Sequence, residues 1–119
     1  MRRVYVHEAV LDMTPEDDVR APGAAVTVAL CGAWDHEPPC PLAPHHTEAV
    51  RDGPGVRLRV LFAVEPSAEQ EVRRRVEEAL AQGRLTAPDG RTTSWQLRAC
   101  GPARVLRTER RQGRRLAAT

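Results

Sequence analysis

Residues 56–83 read VRLRVLFAVEPSAEQEVRRRVEEALAQG, and a change of period inside this stretch decides the fold class. In its first part Val56, Leu58, Val60, Phe62 and Val64 share one face, while Arg57 and Arg59 begin the other. A repeat of two is that of a half-buried strand. From Ser67 the repeat becomes helical, with Ala68, Val72, Val76, Ala79 and Leu80 on one apolar stripe. Ser67 suits an N-cap, with Gln70 completing a capping box, and Gly83 suits the stop. Glu69–Arg73 and Glu71–Arg75 are favourable i,i+4 pairs, expected on the exposed side.

The flanks read mainly as strands. Residues 3–12 alternate, with Val4, Val6 and Val10 opposite Tyr5, His7 and Leu11. An acidic connector with Pro and Gly follows over about 13–23 and does not look helical. Residues 24–32 (AAVTVALCG) alternate as a second strand. Pro88-Asp89-Gly90 signals a turn, and residues 92–100 form a fourth strand that Gly101-Pro102 breaks. Residues 103–108 suit a short edge strand. Together these predict an α+β fold: one small domain over 1–103, with a mostly antiparallel sheet of four or five strands. One amphipathic helix covers one face. Residues 104–119 read as an Arg-rich tail with the freedom of a solvated end.

At 119 residues the chain is about one domain's worth and can bury a core without a staple. Hydrophobic residues at 41% and charged residues at 29% indicate a globular chain. All 18 basic residues are Arg, with no Lys, Ile or Asn, so Arg in place of Lys reflects a general bias. Aromatics are 3%, too few for a surface that stacks unpaired bases. No apolar stretch approaches the roughly 20 residues of a membrane span. Arg2 and Arg3 are not followed by the apolar core of a signal peptide. The cytoplasm is therefore the expected location, and no membrane the expected setting.

Charge is uneven along the chain. Residues 1–65 carry a net −4 and residues 66–119 a net +6. Arg104, Arg107, Arg110, Arg111, Arg114 and Arg115 make the C-terminal segment a candidate for a polyanion, nucleic acid included. No nucleic-acid fold signature accompanies them. Pairing of the basic end with the acidic half of a second copy is a further reading and implies a homo-oligomer.

The chemistry concentrates in residues 33–55, AWDHEPPCPLAPHHTEAVRDGPG, expected as a long loop between the second and third strands. Five of the ten prolines and three of the four histidines lie here. Such a segment cannot be a helix or an inner strand. From Cys31 the pattern is C-x4-H-x3-C-x4-H-H, which offers Cys31, His36, Cys40, His45 and His46. Two thiolates and two imidazoles make a common tetrahedral zinc set, and zinc would supply folding energy that the loop lacks. No C-x-x-C pair is present. With one thiolate missing from the set, an open water position would make the metal catalytic, with Asp35, Glu37 or Glu48 as base or orienting group. Without a metal, Cys40 with His36 or His45 and Asp35 has the residue types of a Cys-His nucleophile. A Cys31–Cys40 disulfide fits an exported chain. Taken singly, Cys31 reads as a buried hydrophobe, His45 and His46 as exposed residues, and Trp34 as an anchoring plug. His7 and Cys100 lie outside the cluster and read first as structural, though either completes a site if its strand lies near the loop.

Overall fold

The structure, a computed structural model, describes residues 1–32 and 43–119. Its main elements are β1 (Arg3–Asp12), α1 (Ala21–Cys31), β2 (His45–Asp52), β3 (Gly55–Val64), α2 (Glu69–Ala81), β4 (Arg84–Thr86), β5 (Thr92–Ser94), β6 (Gln96–Ala103) and α3 (Arg110–Ala117). The four long strands form one antiparallel sheet in the order β2-β3-β1-β6, and β4 and β5 form a separate ribbon. The units β1–α1–β2 and β3–α2–β6 interlock, so β1 and β3 are central. This is the split βαβ arrangement of ferredoxin-like folds.

Why β3 sits at the centre follows from its pattern. Val56, Leu58, Val60, Phe62 and Val64 point into the main core, as the alternation predicts. Leu61 and Ala63, on its other face, are buried as well. A second layer must therefore cover that side. It is α3, which packs on β3 and β1, while α1 and α2 pack side by side on the first face. The C-terminal segment thus contains a 3-10 turn at Arg107–Glu109 and then α3, not the expected edge strand over 103–108.

Helix α2 keeps the predicted stripe, burying Val72, Val76, Ala79 and Leu80. Each of the larger side chains contributes about 1.5–3 kcal/mol on burial. Ser67 lies in a 3-10 turn at Pro66–Ala68 and makes no side-chain cap. Arg73 departs from expectation: its residue is 7% exposed, inside the fold and not on the solvent side.

The clearest correction is residues 24–32: all but Gly32 lie in helix α1, and none is strand. The run Val26-Thr27-Val28 mimics strand alternation because β-branched residues favour strands. The helix has no polar face to reveal its period, since it is wedged among α2, β2, β3 and β4. Its ends follow ordinary rules, with Pro22 in the first turn and Gly32 as left-handed cap at φ +78°. Gly23 lets it approach β2: a Cβ there would lie 2.7 Å from Thr47 Oγ1. The acidic connector before it is a set of turns. Thr14 N and Oγ1 donate to Asp17 Oδ2 at 2.8 and 2.9 Å, and Arg20 N donates to Asp18 Oδ1 at 2.9 Å.

Consequently the Pro/His/Cys segment joins α1 to β2, and is not a β2–β3 loop. Residues 45–52 are strand, joined to β3 through a tight turn at Gly53 (φ +61°) and Pro54. The expected fourth strand is split at Trp95 into β5 and β6, and β6 continues through Gly101-Pro102 to Ala103. Pro102 is tolerated because β6 is an edge strand. Trp95 pins the end of α2: its indole N–H donates to Leu80 O and its backbone N–H to Gly83 O, both at 2.9 Å. The chain ends meet on the outer layer, where the Arg2 guanidinium donates to Thr119 O. Among the described residues, no helix is long and apolar enough to cross a membrane.

Candidate functional site

Two groupings of chemically capable side chains stand out among the described residues, both on the sheet face covered by α1 and α2. The first joins β1, β6 and α2. His7 is 1% exposed, and its Nε2 lies 3.1 Å from Cys100 Sγ and 3.0 Å from Glu77 Oε1. The three donor atoms all fall within 4.8 Å of one another. On the other side of the ring, Arg73 Nη1 lies 2.9 Å from Nδ1 and also donates to Val6 O at 2.9 Å. Arg73 Nε donates to Glu69 Oε2 at 2.8 Å, and its guanidinium carbon sits 5.7 and 5.3 Å from the centroids of the Tyr5 and Phe62 rings.

A guanidinium only donates. Its N–H therefore meets a lone pair on Nδ1, which puts the proton of the neutral ring on Nε2, facing Glu77 and Cys100. Burial first, and then the Arg73 charge, pushes the His7 pKa below its usual value; Glu77 pulls the other way. Burial, reinforced by Glu77, pushes the Cys100 thiol up to about 11.

Three chemical consequences follow. A nucleophile triad needs the thiol and the carboxylate on different ring nitrogens, but here both lie at Nε2. The high pKa also removes the thiolate that a nucleophile requires. A metal at Nε2 would move the ring proton to Nδ1, directly against the Arg73 donor. The grouping is thus a satisfied polar plug at the edge of the core, and it does not fit a metal well.

The second grouping is where α1 ends beside the start of β2. Cys31, 5% exposed, places Sγ 3.9 Å from His45 Nδ1. His45 Nδ1 is 3.0 Å from Ala43 O, and its Nε2 is 3.0 Å from Thr27 Oγ1, which also reaches Gly23 O at 3.2 Å. Cys31 is disulfide-bonded. His46 follows His45 along a strand, so its side chain emerges on the opposite face. There it lines a small recess with Glu48, Arg59, Leu61 and Glu109. Cys31 and His45 are thus brought together, while His46 is separated from them by the sheet. Asp35, His36, Glu37 and Cys40, with Trp34, lie outside the described residues.

Sequence reasoning missed Arg73 and Glu77 as partners of His7. The signal was faint: Arg73 is adjacent in sequence to the buried Val72, and Glu77 follows Arg73 by one helical turn. No protein-family model and no curated protein matches the chain.

Proposed function

We propose that the chain is a small metal-binding domain that takes zinc, in its thiol form, between α1 and β2. The observation that supports this is the 3.9 Å approach of Cys31 Sγ to His45 Nδ1. Sulfur and nitrogen bound to one tetrahedral zinc stand about 3.6 Å apart. Thr27 Oγ1 stands 3.0 Å from His45 Nε2, the kind of orienting contact that a ligating imidazole keeps on its other nitrogen. In the disulfide form Nδ1–H donates to Ala43 O, a hydrogen bond that zinc at Nδ1 would replace. His36 and Cys40 are the sequence candidates for the remaining positions.

The test is elemental analysis of protein purified without a polyhistidine tag and reduced with a phosphine. About one equivalent of zinc is expected, falling severalfold in Cys31→Ser and in His45→Ala. Less than about a tenth of an equivalent in the reduced wild type would overturn the proposal.

A further inference from the structure

We propose that α3 is a contact element for the phosphate backbone of double-stranded nucleic acid, bound without sequence preference. The surface lies across the sheet from Cys31 and His45 and is independent of the zinc proposal.

The first observation is charge that nothing in the described fold neutralises. The arginines of β3 and α2, Arg57, Arg59, Arg73, Arg74 and Arg75, are all ion-paired. Arg104, Arg107, Arg110, Arg111, Arg114 and Arg115 are all exposed, and among the described residues none forms a salt bridge. The one acid of this segment is turned away. Glu109 accepts from Arg59 Nε and Nη2 at 2.8 Å each, and from Leu106 N at 2.8 Å.

The second observation is orientation. Arg107, Arg110, Arg111, Arg114 and Arg115 recur at helical spacing on the solvent side, while Glu109, Gln112, Gly113 and Leu116 turn toward the sheet. Gly113 is buried so closely on β1 that a Cβ would stand 2.9 Å from Val4 Cγ1. The arginine stripe is therefore held outward by a seated backbone and the Arg59–Glu109 fork.

Chemistry selects the partner. Protein partners need an apolar or aromatic centre to their interface, and the four exposed positions inside α3 are all Arg. Nucleic-acid interfaces are polar and strongly positive. Single strands are gripped by stacking on aromatic rings. Tyr5 and Phe62 stack in the core, Trp95 is buried, and α3 occupies the sheet face on which bases would lie. Among the described residues, backbone contact alone remains.

The test is fluorescence anisotropy of a labelled mixed-sequence duplex with the full chain. A Kd on the order of 10 μM at physiological salt is expected, with log affinity falling by about 3 to 4 per decade of salt. Arg110→Gln/Arg111→Gln/Arg114→Gln/Arg115→Gln, which leaves Arg59, Glu109 and Gly113 in place, should weaken binding at least about a hundredfold and flatten the salt slope. If that variant melts early, the doubles Arg110→Gln/Arg114→Gln and Arg111→Gln/Arg115→Gln replace it. Each should lose about tenfold and roughly halve the slope. Affinity within about threefold of wild type in the folded variants overturns the proposal. So does equal affinity for polyglutamate of matched charge, which would assign the stripe to an acidic protein, or tighter binding of the single strand.

Discussion

Arg73 and His7 meet inside the fold with Nη1 and Nδ1 2.9 Å apart, and the arginine decides which ring nitrogen of the histidine carries its proton. Burial first, and then the Arg73 charge, disfavour a proton on both nitrogens and lower the His7 pKa.

Stability should therefore depend on pH through His7. Its folded pKa is lowered, so the unfolded chain binds the proton more readily. The contribution is fully present above the unfolded value of about 6.5 and is lost progressively as pH falls below it, until the folded pKa is passed. Urea unfolding between pH 7.5 and 5 should show falling stability. His7→Gln should remove much of that slope while lowering stability at pH 7.5. An unchanged slope would assign the effect elsewhere.

Arg73→Met should cost about 2–3 kcal/mol, because it strands Val6 O and Glu69 in a poorly hydrated place. It should also let the His7 pKa rise, shrinking the same pH dependence. Glu77→Gln should act oppositely on that pKa, since the Glu77 carboxylate is what raises it. Proton NMR titration of the His7 ring reads both directions.

Cys100 should be a slow thiol. A pKa of about 11, against the ordinary 9.0, leaves about a hundredfold less thiolate at neutral pH. Alkylation of reduced protein should label it last, and denaturant should abolish the difference. A Cys40 that lags equally behind free thiols would count against a Cys-His nucleophile built on Cys40, His36 and Asp35.

Docking of α3 should weaken in acid. The hydrogen bonds from Arg59 hold the Glu109 carboxyl below its usual value of 4.5. This stabilisation is present above that value and is lost as pH falls through the lowered folded one. Hydrogen exchange should show residues 107–117 losing protection in Glu109→Gln at neutral pH, and in the wild type only at low pH. Gly113→Val should do the same through the clash with Val4, by roughly 1–3 kcal/mol.

The sequence revealed β3 and α2 because each has one face in the core and one in water, so the period is visible. It concealed α1 because Val26, Thr27 and Val28 alternate like a strand and the helix shows no polar side. The signs that could have corrected this were Pro22 and Gly32, which fit the start and stop of a helix. The separation of His45 from His46 follows at once when residues 45–52 are seen as a strand, and prolines nearby hid that. Arg73 was illegible for a different reason. A Glu69–Arg73 pair reads as surface chemistry, and only tertiary packing shows that the arginine reaches His7.

The contact of Arg2 with Thr119 has a topological meaning. Neighbouring ends let a short peptide close the backbone into a ring. Such a ring has no privileged first strand. Reopened at Gly53–Pro54, it would begin with β3 and end with β2. The interlocked order of strands would be unchanged, because hydrogen-bonded neighbours, rather than position along the chain, define it.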